Sequence, residues 1–163
     1  MSKAKRAVPE GLHTVTPMLT LDDSSRAIAW YVKALGAEEL SRSAGPDGKI
    51  VHAEIRIGNS HVMMHDAMMG AKAPRAMGGS PISLWIYVED ADSLYKRATT
   101  AGARVAEGPM GQMMDQFWGD RCGTIIDPEG YSWTIATRKE DLTPEEMRRR
   151  MNEWMSQQAG QPA

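Results

Sequence analysis

The alternation of apolar and polar residues predicts the same series of elements twice along the chain. Residues 13–21 alternate as a strand, and two acidic caps lead into a helix that ends at Gly36. Residues 84–88 form a second strand-like run, and Asp90 leads into a helix that ends at Gly102. Because further strand-like runs follow each helix, the pattern predicts two tandem βαβββ modules.

Each module also carries a predicted β-hairpin. In the first, a strand over residues 50–57 and one over 61–65 flank the turn Gly58–Ser60. In the second, residues 122–126 and 131–137 flank the turn Asp127–Gly130. A short strand is predicted over 104–107, before a long loop over 108–121.

Together these elements predict an α+β fold in which two tandem βαβββ modules form a cup-shaped mixed sheet, with a C-terminal helix. The predicted boundaries are an N-terminal arm (1–11), a central domain (12–138) made of module one (12–66), a linker (67–81) and module two (82–138), and a C-terminal helix and tail (139–163).

The C-terminal segment has a complete helix start, with Thr143 as the cap and Pro144 at the first helical position. Apolar residues then follow at helical spacing on one face: Met147, Met151, Trp154 and Met155. Such a stripe must cover either its own sheet or a partner subunit. Together with the open sheet edges, it favours a homodimer.

Composition narrows the possible partners. A net charge of −2 and a pI near 6.1 provide no basic field for nucleic acid or an anionic membrane. No apolar run is long enough to span a bilayer, and the N-terminus has no secretory signal pattern. The single cysteine, Cys122, suits a reducing compartment, so we expect a cytoplasmic protein. Thirteen Met residues against one Phe suit either an adaptable binding surface or ordinary core packing.

Several segments resemble one known family. They are Arg26–Tyr31 with Leu35–Ala37, His52–Ser60, Val62–Asp66, Gln116–Gly123 and Asp127–Trp133. In this order they are similar to the vicinal oxygen chelate superfamily, which contains glyoxalases, bleomycin-resistance proteins and dioxygenases, and within it to the PhnB-like branch. The resemblance covers residues 13–150. It implies a cavity for a small molecule, but the activities of this superfamily are too diverse for the fold alone to define the function.

The resemblance also identifies the positions at which metal-dependent members bind a divalent ion. In this chain those positions hold Thr16, Met63, Ser83 and Thr134, none of which is a His or Glu. Because hydroxyls and thioethers are poor ligands for such ions, we expect no metal and no other cofactor. One alternative stays open, in which an ion is shared by a cluster on neighbouring strands: His52, Glu54, His61 and His65.

The predicted ligand-binding residues are large apolar or sulfur-containing side chains: Met63, Trp85, Tyr87, Met114, Phe117 and Trp118. If the opposite face of the strand over 84–88 lined the cup, Leu84, Ile86 and Val88 would take the place of Trp85 and Tyr87. Phe117 and Trp118 could equally plug the cup rather than bind a ligand. The candidates for acid–base catalysis are His52, Glu54, His65, Asp115 and Arg121.

Three functions fit this pattern. The one we favour is a small-molecule binding protein of the glyoxalase/bleomycin-resistance type, acting as a sequestering protein or as an enzyme without the usual metal. A second is a metal-dependent lyase or isomerase of the glyoxalase type. A third is an interaction module without a ligand, in which the cup would be filled. The sequence leaves open whether any reaction is catalysed.

Overall fold

The computed structural model describes residues 4–159. Its first five elements form a complete βαβββ module. The elements of module one are β1 (Met18–Leu21), α1 (Ser24–Leu35), β2 (Glu38–Ala44), β3 (Ile50–Ile57) and β4 (Ser60–Asp66). They form a sheet in the order β1-β4-β3-β2, in which β1 runs parallel to β4 and the other neighbours are antiparallel. We call this sheet one.

Module two repeats the plan. Its elements are β5 (Ser83–Tyr87), α2 (Ala91–Thr100), β6 (Arg104–Val105), β7 (Met114–Asp115), β8 (Asp120–Ile126) and β9 (Ser132–Arg138). The order is β5-β9-β8-β6, with β7 also paired to β8, and we call this sheet two. A third helix, α3 (Pro144–Ala159), follows. The predicted α+β fold of two modules and a C-terminal helix is therefore confirmed.

Three local differences from the predicted elements have simple physical causes. β1 begins at Met18 rather than at residue 13, because Pro17 has no N–H and the Thr16 hydroxyl donates to the His13 carbonyl in a turn. β2 gave no alternation in the sequence because all of its residues are exposed on both faces. The linker contains a short 3-10 helix, Pro74–Met77, which its irregular sequence did not indicate.

Helices α1 and α2 and the sides of both sheets that face them share one hydrophobic core. α1 begins where the Asp23 carboxylate accepts a hydrogen bond from the Arg26 N–H at 2.9 Å, and it ends at Gly36, whose φ of 69° favours glycine. It contributes Tyr31, which is fully buried and lies 5.6 Å from the ring of Trp133 in module two. The core therefore crosses the boundary between the modules.

Two buried carboxylates of module two strengthen this boundary. Asp127 accepts hydrogen bonds from the Tyr31 hydroxyl at 2.7 Å and from the Trp133 indole N–H at 2.8 Å. Burial, followed by the charge of Asp127, raises the pKa of Tyr31 well above its usual value, so the phenol remains a donor. Glu129 accepts from Arg26 at 2.7 Å and from the Asp22 N–H at 3.0 Å. The Asp127–Gly130 turn thus links module two to both halves of α1, through Arg26 and Tyr31.

The C-terminal helix lies at the edge of module two. Thr143 caps it as predicted, accepting from the Glu146 N–H at 3.2 Å, and Arg150 pairs with Glu140 at 2.7 Å. Its apolar stripe is only partly covered, since Met151, Trp154 and Met155 are between 39% and 56% exposed. Among the described helices, none is both long and apolar enough to cross a membrane.

Candidate functional site

The edge strand β5 presents its aromatic residues away from the core. Ile86 is buried among core residues, and Leu84 and Val88 pack against that core. Trp85 and Tyr87 lie on the opposite face and are 42% and 60% exposed. The strand alternates in this way because the helices cover only one side of sheet two.

These two residues belong to a continuous row of rings that we call the aromatic cluster: Trp85, Tyr87, Phe117, Trp118 and Trp154. Ring centroids are separated by 6.0 Å between Trp85 and Tyr87 and by 6.5 Å between Trp85 and Trp118. Phe117 lies 5.0 Å from Trp118 and 5.5 Å from Trp154 of α3. The cluster therefore extends from the edge strand to the C-terminal helix, at separations typical of favourable aromatic pairs.

A buried carboxylate holds the middle of this cluster. Asp120 is 2% exposed, and its Oδ2 accepts hydrogen bonds from the Tyr87 hydroxyl and the Trp118 indole N–H, each at 2.9 Å. Its Oδ1 pairs with Arg138 at 3.2 Å. Burial, with the bond to Asp120, raises the pKa of Tyr87, so its phenol stays a donor. These hydrogen bonds thereby fix the orientation of the Tyr87 and Trp118 side chains.

A cavity of about 460 Å³ adjoins β5. Its walls come from the segment before β1, the end of α1, the β3–β4 turn and β5, so both modules contribute to it. Most of the lining is apolar. β5 contributes from both faces, because Leu84 and Ile86, followed by Val88, line the cavity together with Trp85 and Tyr87. Phe117 and Trp118 do not line it. The volume lies in the range of typical small-molecule sites. A hollow of about 490 Å³ beside the linker is more open, with Arg75 and Arg104 at its rim, and lies away from the aromatic cluster.

His61 is the titratable side chain at the β3–β4 end of this cavity. Its Nδ1 contacts Oε1 of Glu54 on the neighbouring strand, and both side chains are largely buried. The N-terminal arm crosses the ring at Gly11, where a Cβ atom would lie 2.8 Å from His61 Nε2. Gly11 also has a φ of 80°, so glycine is favoured there for two reasons.

The other candidate acid–base residues lie apart from the cavity wall. His65 on β4 approaches the Thr20 hydroxyl at 3.2 Å and the Asp66 carbonyl at 2.8 Å. His52 shares the polar face of β3 with Glu54 but makes no contact with it among the hydrogen bonds of the described residues. The structure therefore pairs Glu54 with His61, not with His52 or His65.

Asp115 and Arg121 lie on the other side of sheet two. Arg121 binds Asp92 at the start of α2 at 2.6 Å and Asp115 at 3.1 Å. These carboxylates hold its pKa above the usual value. Alternation along β8 places Arg121 on the helix-facing side, whereas Asp120 lies on the aromatic side. The ion pairs of Arg121 with Asp92 and Asp115 thus link β7 and β8 to α2.

The two methionines named from the sequence lie on polar or aromatic faces but do not line the cavity. Met63 of β4 is paired with Glu54 and Met18 in the register of sheet one. Met114 of β7 is opposite Cys122 and is 43% exposed.

Burial raises the pKa of the Cys122 thiol, which does not favour a reactive thiolate.

The family's metal positions do not fit a divalent ion. Three of the four hydroxyl and thioether groups already have protein partners: Thr16 donates to His13 O, Ser83 lies 3.3 Å from Ser132, and Thr134 lies 2.9 Å from Thr124. The fourth, Met63, offers a thioether, which suits softer metals. Within residues 4–159, no group of three or more His, Cys, Asp or Glu side chains is arranged to hold a metal. That no metal bridges the modules stays a prediction.

Three parts of the site were missed from the sequence. Asp120 gave no signal, because an acid beside a loop usually faces water. Trp154 was assigned only to the helix stripe, although it meets Phe117. The pairing of His61 with Glu54 could have been found from the β3–β4 register, which places these residues diagonally across the hairpin.

Comparison with known proteins defines the class. The family model described as the Glyoxalase/Bleomycin resistance protein/Dioxygenase superfamily matches residues 11–135. The chain therefore belongs to this superfamily, as the sequence resemblance predicted. The match ends before α3.

Individual proteins are similar to this chain over most of its length. The uncharacterized protein Rv0887c of Mycobacterium tuberculosis is 38% identical over 143 residues, covering 85% of this chain and 82% of the relative. The crystal structure of TioX from Micromonospora sp. ML1 is 27% identical with a TM-score of 0.60, covering 80% of this chain and all of TioX.

Two further structures share the fold. TnmS3, an antibiotic binding protein from Streptomyces sp. CB03234, is 18% identical with a TM-score of 0.59, covering 82% of this chain and 99% of TnmS3. The PhnB protein from Bacillus cereus is 15% identical with a TM-score of 0.56, covering 77% and 99%. At these identities the likeness concerns the fold alone.

Proposed function

We propose that this protein binds a small, planar and partly apolar molecule at the aromatic cluster and the adjoining cavity. It would act as a sequestering protein or as an enzyme that does not use the family's usual metal. The observation that carries the proposal is that Trp85 and Tyr87 are exposed and yet fixed by Asp120 and Trp118. Rigid, exposed rings beside a cavity stack on planar ligands at little entropic cost.

One structural neighbour supports the binding of a small molecule by this fold. TnmS3 is by name an antibiotic binding protein, and it shares this fold. A ligand of that kind would contact predicted ligand-binding residues on the aromatic side of module two, namely Trp85, Tyr87, Phe117 and Trp118. Met114 lies on the same side, whereas Met63 would take part only in a ligand that reaches sheet one.

The test begins with native mass spectrometry of the purified protein, to identify any co-purified molecule. That molecule, or a panel of planar antibiotics, is then titrated while tryptophan fluorescence is measured. Trp85→Ala should weaken binding at least about tenfold, as expected for a central aromatic contact. Leu40→Ala is the control, because Leu40 is similarly exposed on the remote strand β2. Equal affinities for the two variants, or no binding to wild type, would contradict the proposal.

Metal analysis separates this proposal from the metal-dependent alternative. We expect substoichiometric Zn, Ni, Mn and Fe after purification, and no activity on the methylglyoxal–glutathione adduct when each metal is added. A stoichiometric ion that supports this activity would favour the metal-dependent lyase or isomerase instead.

We also propose a homodimer. β1 pairs only with β4, and β5 only with β9, so both strands leave one edge unpaired in the described chain. The exposed side chains of α3 add an apolar surface to these edges. Light scattering should give twice the 18.0 kDa chain mass. A mass near 18.0 kDa would contradict this proposal.

Two broader expectations complete the proposal. Residues 12–138 would form the ligand-binding domain, and 139–163 an addition to it; the ends of the arm and tail (1–3 and 160–163) lie outside the described residues. The single, buried cysteine suits the cytoplasm. Cell fractionation with an antibody against the chain would test the location.

A further inference from the structure

The hairpin of module one forms a histidine–carboxylate pair in which the histidine, His61, lines the cavity and Glu54 lies behind it. Glu54 on β3 and His61 on β4 are diagonal neighbours, and Glu54 Oε1 contacts His61 Nδ1. The side chains are 18% and 13% exposed, respectively, so the contact is shielded from bulk water. Neither the superfamily match nor the comparisons assign a role to this pair.

The contact determines which ring nitrogen is available. An ionised carboxylate only accepts hydrogen bonds, so the neutral imidazole must carry its proton on Nδ1 when it contacts Glu54. Nε2 then has a free lone pair. Within residues 4–159, no protein group is hydrogen-bonded to Nε2. A histidine that is oriented by a carboxylate and has a free Nε2 is the arrangement required of a general base.

The surroundings of the ring favour proton transfer from a bound molecule. The cavity beside His61 is lined mainly by apolar side chains, and the backbone of Gly11 lies against the Cε1–Nε2 side of the ring. Glu54 is the charged group in contact with the ring. Arg56, opposite His61 in the register, is paired with Glu38, and His13 shares the cavity.

We propose that His61 and Glu54 form a proton-accepting dyad for a weakly acidic ligand, such as a phenol or an enolisable carbonyl compound. This inference rests on the proposed function, because it requires that the cavity binds a small molecule. The O–H or C–H bond of the ligand breaks, its electron pair stays on the ligand, and the proton forms a bond with Nε2. Glu54 then stabilises the imidazolium, and the proton returns in the reverse step.

The test uses 4-nitrophenol, whose phenolate absorbs at a longer wavelength than its phenol. Binding is measured by tryptophan fluorescence, and ionisation by absorbance, at a pH below the pKa of the free probe. Wild type should bind the probe as phenolate. His61→Gln and Glu54→Gln should bind it mainly as phenol, with its apparent ionisation constant lowered about tenfold or more. His65→Gln is the matched control, because His65 lies on the same strand with its ring nitrogens near Thr20 and Asp66.

The outcomes separate the two proposals. If wild type and His61→Gln bind the probe with the same ionised fraction, the dyad is overturned and the binding function stands. If wild type does not bind 4-nitrophenol, the binding proposal loses this ligand class, and the dyad is judged by nitrogen NMR of the histidine ring. A neutral ring protonated on Nδ1 supports it; protonation on Nε2 overturns it. Circular dichroism confirms that each variant is folded.

Discussion

Replacing Asp120 by Asn should loosen the aromatic cluster. The carboxylate has two acceptor atoms, of which one serves Tyr87 and Trp118 and the other serves Arg138. An amide has only one acceptor oxygen. If that oxygen faces Tyr87 and Trp118, the amide N–H₂ must face the guanidinium of Arg138, and two donors then oppose each other.

The expected cost follows from these contacts. A hydrogen bond to a charged group contributes about 1.5–3 kcal/mol. Asp120 is nearly fully buried, but Arg138 is 45% exposed, so water compensates part of that loss. We therefore expect Asp120→Asn to lower the free energy of unfolding by about 2 kcal/mol, or about 4–8 °C in Tm for a chain of this size.

The matched control is Asp141→Asn. Asp141 pairs with the same Arg138 at 3.3 Å, but its side chain is 99% exposed, so its loss should cost less than about 0.5 kcal/mol. Urea unfolding followed by circular dichroism measures both variants. Equal effects, or a cost below about 0.5 kcal/mol for Asp120→Asn, would refute the view that a buried carboxylate organises the cluster.

Three further changes test the framework around the site. Glu129→Gln should lower the free energy of urea unfolding by about 1.5–3 kcal/mol, since this buried acid holds α1; an unchanged midpoint would contradict it. Burial alone would raise the pKa of Asp66, but hydrogen bonds from Ser24 and Ile50 outweigh this effect and lower the pKa. The stabilising contribution of Asp66 is therefore present above its ordinary pKa and is lost as the pH falls through its pKa in the folded state. Asp66→Asn should flatten the acid limb of a stability–pH profile, and an unaltered limb would refute this. Gly123→Ala should cost about 1–3 kcal/mol in the same unfolding assay, because a Cβ atom would lie 2.8 Å from Tyr95; near-neutral stability would show that the site relaxes.

Much of the architecture follows from local patterns. The caps at Asp23 and Thr143, the glycine stop at Gly36 and the hairpin turns each depend on a few neighbouring residues, so the sequence predicted them. Duplication of the pattern then predicted two modules. β2 was the exception: with both faces exposed, nothing in its composition distinguishes it from a loop.

The site depended on long-range contacts that no local pattern encodes. Alternation placed Trp85 and Tyr87 on one face of β5, but only the packing of the helices determined that this face lies away from the core. Asp120 and Glu129 read as surface acids until the fold buried them against partners distant in sequence. Likewise, Glu54 has three histidines nearby in the sequence, and only the register of β3 against β4 selected His61. Local sequence thus determined the elements, whereas the buried charges and aromatic contacts of the site were decided by tertiary structure, because burial is a property of the whole fold.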